Sequence, residues 1–368
     1  MKIDVLTFSD FIALEDLWDQ LVLKSCNDFF STWTWLSTWW KHFGNNRELL
    51  ILVAKEADSI MGLAPLMRTT ESTLGLNRSK IEFIGTPDSD YNNFVTPDSS
   101  SSSQVISEFL DYLNKHQENW TLASLTDLPQ NAPCLSALEK MVRVQQATKC
   151  SYLKLPESYD AFLKSLSYKQ RGSVNNTLNK IRKSFKAELV DYSSPNSCLK
   201  GMRFLIDLHQ KRWLNAGFRG AFFDKRIENF HLDLAELLSK KQMLGLYLLE
   251  FDGRPVSGSY GFKYKSKYYA YLPGFDPEYS KFGVGSILVP FLVKQFIEEG
   301  LVEFDFMRGD EGYKDRWNAT PTWNYQAIMH KSGRFGPYSH RMYDSIWCKL
   351  YNARGLITKK WLRSQPPG

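Results

Sequence analysis

The sequence predicts an α/β fold made of two similarly built domains in tandem. Three observations lead there. At 368 residues the chain exceeds one typical domain. An apolar share of 43%, with 14% aromatic residues, is enough to fill more than one core. One order of elements (strand, hairpin, strand, loop, helix, strand) also reads twice along the chain, with little residue identity between the copies.

The first copy is read over residues 1–150. A strand from Ile3 to Phe8 leads to a helix around Phe11 to Leu23. In "FFSTWTWLSTWWKHF", Trp33, Trp35, Trp39, Trp40 and Phe43 fit a helix that packs its aromatics into a core; an aromatic-lined acceptor groove is the alternative. "ELLILVAKE" and "IMGLAPLMR" read as strands joined by "ADS" in a hairpin. "KIEFIGTPDSDYNNFVTPDSSSSS" carries strand, turn and loop signals. A helix from about Gln104 to His116 and the strand "WTLASLTDL" complete the copy.

A basic segment, "KSLSYKQRGSVNNTLNKIRKSFK", separates the copies. Val174, Leu178, Ile181 and Phe185 recur at helical spacing and leave Lys180, Arg182, Lys183 and Lys186 on other faces; no acid interrupts residues 161–187. A solvated face, a contact with a phosphorylated ligand and a nucleic-acid contact all fit this pattern.

The second copy is read over residues 151–345. "LGLYLLEFDGRPVSGSYGFKY" turns at Asp252-Gly253, a tight-turn dipeptide. "KYYAYLPGFDPEYS" is a strand and loop, a helix runs from about Val284 to Glu299, and "LVEFDFMRG" is the strand after it. Pro290 inside that helix predicts a bend. Residues 346–368 read as a basic amphipathic helix or tail, with Ile346, Leu350, Ala353, Ile357 and Trp361 on one face. Packing on the domain is its expected role, and a peripheral membrane foot is the alternative.

Charge and cysteine usage narrow the function classes. A net charge of +6 suits an anionic substrate and falls short of a dedicated nucleic-acid binder. Cys26, Cys134, Cys150, Cys198 and Cys348 are odd in number, scattered and without a C-x-x-C pair, which argues against a disulfide framework or a zinc site. The start lacks a signal-peptide pattern, and no apolar run reaches membrane-spanning length. The expectation is a soluble cytoplasmic protein that uses no metal.

The most informative stretch is "DPEYSKFGVGSI". Gly283 and Gly285 stand just before Ile287, Leu288, Phe291, Leu292 and Phe296, which form an apolar helical face. Backbone N–H groups at such a helix start, aided by the helix dipole, can hold a pyrophosphate, and glycine is needed where a Cβ would block close approach. A plain turn fits as well. Neither a Walker lysine motif nor G-x-G-x-x-G is present.

Strand, x-x-Gly-x-Gly loop, helix and following strand resemble the acyl-CoA-binding core of GNAT acyltransferases. "GLVEFDFMRGDEGYKDRWNATPTWNYQ" is similar to the closing motif of the GNAT-like acetyltransferases linked to cellulose and exopolysaccharide biosynthesis. Asp305, Gly309, Tyr313, Lys314 and Trp317 carry that match, and "LHQKRW", "DGRPVSG" and "MGLAPL" extend it over nearly the whole chain. Fem-type peptidyltransferases, which use aminoacyl-tRNA, share the tandem design and a related aromatic-Lys motif. The resemblance implies an α/β (α+β) fold of two tandem GNAT-like domains, each a mixed, mainly antiparallel sheet flanked by helices, the first lacking the glycine loop.

It also implies transfer of an acyl group, acetyl first, from acyl-CoA as co-substrate to an amine or hydroxyl of a cell-envelope or exopolysaccharide precursor. Phe282, Gly283, Val284, Gly285 and Ser286 would bind the co-substrate through backbone donors. Ser280 stands where the family's signature has Arg or Gln, so a basic residue from elsewhere is needed, Lys281 first. "YYAYLPGF" would run beside the pantetheine-like arm; Pro273 has no N–H, which turns oxyanion stabilisation to Gly274 or a side chain. Asp305 would orient or deprotonate the acceptor, or else pair with Arg308 or Arg212. His209 is a second base candidate, or a packing residue of its helix. Lys314 and Arg308 would bind phosphate or stabilise negative charge, or be surface charges. Arg212, Trp213 and Tyr313 are further substrate-binding candidates, with Tyr313 and Trp317 alternatively anchoring the Lys314 turn. Aminoacyl-tRNA-dependent peptidyl transfer and a non-catalytic binding module in an envelope-synthesis complex are the alternative functions.

Overall fold

The computed structural model describes residues 1–57, 59–73, 76–97, 101–116 and 119–330; the tail read at 346–368, with Cys348, lies outside the described residues. The described chain forms two compact units, Met1–Thr148 with the residues from Trp323, and Lys149–Thr322.

The first unit holds strands β1 (Lys2–Val5), β2 (Arg47–Glu56), β3 (Ser59–Thr73), β4 (Leu76–Phe83), β5 (Leu122–Pro129) and most of the last strand, β12 (Thr320–His330). They lie in the order β1-β2-β3-β4-β5-β12, antiparallel throughout except for the parallel pair β4/β5. The single helix expected at 11–23 is two, α1 (Phe8–Ala13) and α2 (Glu15–Leu23). Thr7 and Asp10 form a reciprocal capping box that starts α1 earlier than the apolar pattern suggests, and the chain leaves helical geometry at Leu14. In α3 (Trp33–Phe43), Thr32 caps the start by accepting the Trp35 N–H. Trp35 and Trp39 are buried; their indole N–H groups donate to Ser89 Oγ and Asp88 Oδ2, so these aromatics are core with satisfied polar ends. Helix α4 (Ser102–Lys115) buries Val105, Ile106, Phe109, Leu110 and Leu113 in a core with β2–β5, and α5 (Cys134–Leu138) joins it.

The second unit has the order β6 (Val144–Lys154, of which residues 149–154 belong to this unit), β11 (Glu303–Arg308), β10 (Lys267–Phe275), β9 (Arg254–Tyr264), β8 (Leu244–Phe251), β7 (Ala187–Asp191). Only β10/β11 is parallel among the pairs from β11 to β7, and β11 meets β6 antiparallel. Helices α6 (Tyr159–Ser165), α7 (Tyr168–Ser184), α8 (Cys198–Asn215), α9 (Lys225–Lys240) and α10 (Val284–Glu298) flank the sheet. The core of one face is α10 with α7 and the strands. Phe296 packs 4.3 Å from the Tyr268 ring and 5.2 Å from Tyr247. Helix α10 runs on through Pro290, whose missing N–H leaves the Ser286 carbonyl without its usual helical donor. On the other side α8 comes very close to β10: a Cβ on Gly274 would lie 2.7 Å from the His209 backbone nitrogen, so only glycine permits this approach. Each unit is thus a mixed, mainly antiparallel sheet flanked by helices.

Candidate functional site

The site begins where β10 and β11 part. They pair over three rungs, Lys267–Glu303, Tyr268–Phe304 and Tyr269–Asp305. Beyond these, β10 has an irregularity against β9 between Ala270 and Leu272, and β11 has one against β6 between Asp305 and Arg308, with Met307 at φ 64°. Such bulges bend strands. Past the last rung, the β11-facing edge of β10 has no strand partner among the described residues. The parting of parallel strands at their C-terminal ends is where open α/β sheets hold ligands.

Strand alternation decides which groups face that gap. The Asp276 N–H donates to the Val256 carbonyl at 2.9 Å, toward β9. Gly274, two residues back and opposite Gly258, therefore also points its N–H at β9. This corrects the expectation for Gly274 as an oxyanion donor. Phe275 instead directs its N–H to the open edge.

The chain then winds a short 3-10 turn, Pro277–Phe282, started by Asp276, whose carboxylate accepts the Glu278 N–H at 3.1 Å. Gly283 follows with φ 60° and ψ 35°, the left-handed conformation that glycine adopts at least cost, and α10 starts from it without a side-chain cap. The Gly283 carbonyl accepts from Ser286 and Ile287 at 3.0 and 2.9 Å. No acceptor among the described residues is set against the N–H groups of Val284 and Gly285. Val284 is buried, Ser286 half-buried, and Gly283 and Gly285 are exposed.

Cations gather around this start. Lys180 of α7 donates to the Lys281 carbonyl at 3.0 Å and stands 5.0 Å from the Phe282 ring centre; Lys281 itself is exposed and 5.3 Å from the same ring. Arg212 of α8 lies 5.3 Å from the Trp213 ring and 5.4 Å from the Phe275 ring. A Cβ on Gly285 would meet Phe275 at 3.2 Å, so one aromatic ring connects Arg212 with the glycine loop. Burial lowers the Arg212 pKa from its ordinary value, and the nearby Tyr313 and Glu311 act the other way. A guanidinium stays charged under such a shift.

The end of β11 is held by a different device. Asp305 is buried at the last rung, and one carboxylate oxygen accepts the Met307 N–H at 2.7 Å, fixing the bulge. Lys314, 2% exposed, donates its ammonium to the carbonyls of Met307, Arg308 and Gly309 at 3.1, 3.1 and 3.2 Å and pairs with Glu311 at 2.8 Å. The ammonium is committed to this clamp. Tyr313 packs its ring 6.3 Å from Phe306; burial, with the Glu311 charge, pushes its phenol pKa up, against the pull of Arg212. Trp317 is a core anchor, stacked on Phe162. Arg308 is half-buried beside the clamp.

His209 is buried, and its Nε2 accepts the Trp213 indole N–H at 2.8 Å. Burial lowers its pKa to about 4, with a contribution from Arg212 and an opposing one from Gln210. Its Nε2 lone pair is occupied and the ring is neutral at neutral pH, so a hydrogen-bonded packing role matches these contacts.

The structure thus brings Lys281 to Ser286 together with Arg212, Trp213 and His209, and brings Asp305, Arg308, Tyr313 and Lys314 together at the end of β11. Sequence reasoning named Lys180 on the basic helix without placing it at the glycine loop, and missed Glu311, Phe275 and the buried Asp276, which pairs with Lys211 at 3.3 Å and Arg254 at 3.1 Å. The signal for Asp276 was available: Asp-Pro-Glu is a capped helical start.

The corresponding gap in the first unit is filled. Strands β4 and β5 pair at Lys80–Leu122 and Ile81–Ala123 and then part. The segment 84–97 occupies the space. Val95 exchanges two 2.8 Å hydrogen bonds with Leu63, while the Asn92 N–H donates to Asp127 O at 2.8 Å and its side chain to Thr126 O at 3.2 Å. Ser89, Asn92 and Asn93 are buried there.

Residues 169–315 match the family model described as acetyltransferase (GNAT) domain. No curated protein matches the chain. Among solved structures, FemX aligns with a TM-score of 0.64 at 13% identity, over 89% of this chain and 98% of that one. The C-terminal domain of a putative lysylphosphatidylglycerol synthetase from Agrobacterium fabrum aligns at 0.54 and 10% identity, over 92% and 97%. A tandem GNAT protein from the clavulanic acid biosynthesis pathway aligns at 0.50 and 10% identity, over 90% and 99%. At these identities the likeness is one of fold. No helix among the described residues is long and apolar enough to cross a membrane. The stretch that matches the acetyltransferase (GNAT) domain is the stretch that holds the parted strands and the glycine-led helix, in a fold shared with tandem GNAT proteins.

Proposed function

We propose that the second unit transfers an acyl group, acetyl first, from acyl-CoA to an amine or hydroxyl of a cell-envelope or exopolysaccharide precursor. The observation that carries this reading is the open gap between β10 and β11 with the Gly283-led helix start at its mouth, inside residues 169–315. In this reading the backbone of Phe282 to Ser286 takes the pyrophosphate, with the Val284 and Gly285 N–H groups as donors and Lys281 and Lys180 supplying charge. The pantetheine arm lies along the free edge of β10 as an added strand would. The thioester carbonyl is polarised by the Phe275 N–H.

The acceptor heteroatom then bonds to the acyl carbon, the C–S bond breaks, and the thiol leaves with the proton that the acceptor gives up. Asp305, at the last rung, orients the acceptor. Arg308, Arg212, Trp213 and Tyr313 bind it. Lys314 and His209 act as positioning residues, the first by clamping 307–309 and the second by fixing Trp213.

Calorimetric titration of the full chain with acetyl-CoA and longer acyl-CoAs tests the reading. Binding at one site per chain, lost in Gly285→Val, is expected. Absence of binding to every thioester by a folded protein overturns it. Retention of charged tRNA without coenzyme A would replace it by aminoacyl transfer.

A further inference from the structure

We infer that α7 is the docking face for an acidic carrier protein, which delivers the acyl group on its own phosphopantetheine arm. The inference rests on the thioester reading above and names the form in which the thioester arrives. Helix α7 has 17 residues and is about 25 Å long. Lys169, Arg171, Lys180, Arg182 and Lys183 lie along it, half-buried at Arg171 and exposed elsewhere, and none has an ion-pair partner among the described residues. Elsewhere in the second unit, surface lysines and arginines such as Lys186, Lys211, Lys225, Arg226, Lys240, Arg254 and Lys267 each pair with a carboxylate. The absence of any acid from 161 to 187 leaves the row unneutralised. Tyr168 stands 86% exposed at its start.

Position connects this row to the donor. Val174 and Ile181 bury one face of α7 in the core that holds α10, and Lys180 touches the Lys281 carbonyl at the mouth of the glycine loop. A phosphopantetheine arm threaded along β10 would end with its phosphate at that loop. In free coenzyme A that phosphate continues as a pyrophosphate to an adenosine; on a carrier it is esterified to the protein itself. The carrier body would then lie over α7, where an acidic helix meets an unpaired basic one. Nucleic acid fits less well, because a net charge of +6 over 368 residues falls short of the dense basic surface that a duplex or tRNA engages. In the transfer step the carrier's acyl carbon bonds to the acceptor heteroatom and its C–S bond breaks. The carrier keeps its arm as a free thiol, which takes the proton lost by the acceptor.

The test uses the full chain and a type II fatty-acid acyl carrier protein in apo, holo and acetylated forms, beside acetyl-CoA and bulk tRNA. Calorimetry at 50 mM salt is expected to show holo-carrier binding. The quadruple variant K169E/R171E/R182E/K183E should weaken it at least tenfold while acetyl-CoA binding stays within twofold. Raising salt to 500 mM should weaken carrier binding more than acetyl-CoA binding, because the carrier engages the whole α7 row and the Debye length falls from roughly 14 to 4 Å. Circular dichroism and the unchanged acetyl-CoA affinity establish that the variant folds. No carrier binding, equal binding by the variant, or α7-dependent capture of tRNA instead of carrier overturns the inference. Failure of the transfer reading looks different: the carrier still docks through α7, yet neither its acetyl form nor acetyl-CoA donates to any acceptor.

Discussion

Replacing Lys314 by Met separates a clamp from a catalytic lysine. The ammonium holds three carbonyls and Glu311 while 2% exposed, so the variant leaves four buried or half-buried acceptors without their donor. Removing one partner of a buried ion pair costs about 3–5 kcal/mol, and each lost charge-assisted hydrogen bond would add to that if it were not partly replaced by water. A loss near the lower figure, about 3 kcal/mol, follows from Glu311 being partly exposed. Against a domain stability of roughly 5–15 kcal/mol, this is a large fraction. Urea unfolding followed by tryptophan fluorescence measures it, with Trp317 buried three residues away. Lys314→Arg should recover little, because a planar guanidinium cannot point at three carbonyls converging on one nitrogen. The result that would refute the clamp is a K314M protein as stable as wild type within about 1 kcal/mol but devoid of acyl transfer.

Further outcomes follow from the same geometry. Gly283→Ala forces a Cβ into the left-handed region at a cost of about 1–2 kcal/mol and should weaken acyl-CoA binding by calorimetry, whereas Gly283→Asn, which tolerates that conformation, should be milder. Asp276 has its pKa lowered: burial works against this, but the Glu278 N–H, Lys211 and Arg254 outweigh it. A depressed carboxyl contributes stability above its unfolded value near 3.8 that is lost as pH falls through the folded one, so Asp276→Asn should flatten the acid limb of stability below about pH 4. His209, pulled from 6.5 to about 4 by burial, makes the unfolded chain the better proton binder between those values. Stability should therefore decline as pH drops from 6.5 toward 4, His209→Leu should reduce that slope, and rate profiles from pH 6 to 8 should show no titration that this variant removes.

Much of this was legible in the sequence because it depends on local pattern. The hairpin of β8 and β9 turns at Asp252-Gly253, and α10 starts at Val284 where its apolar face begins. The position of the glycines just before an apolar helix could be read for the same reason, whereas the left-handed conformation of Gly283 came only with the structure. What the sequence did not show depends on distant partners. Lys180 reaches Lys281 across about a hundred residues of chain, and nothing at position 180 announces that. Lys314 drew attention through the aromatic-Lys motif, but its three carbonyl partners exist only once β11 has bulged. His209 looked poised to titrate until burial and Trp213 were known. Gly274 looked like a donor because strand alternation cannot be phased until the register against β9 is fixed.

On the proposed reading, the filled gap of the first unit leaves a doubled fold with a single receptor site. Asn92 and Val95 take the hydrogen-bonding places between β3 and β5 that a bound arm would need, so a donor competing for them would have to displace the protein's own backbone. Saturation should come at one donor per chain. An unreactive thioester analogue carrying a photolabel should mark the second half of the sequence alone, leaving the first half as an internal blank on the same polypeptide.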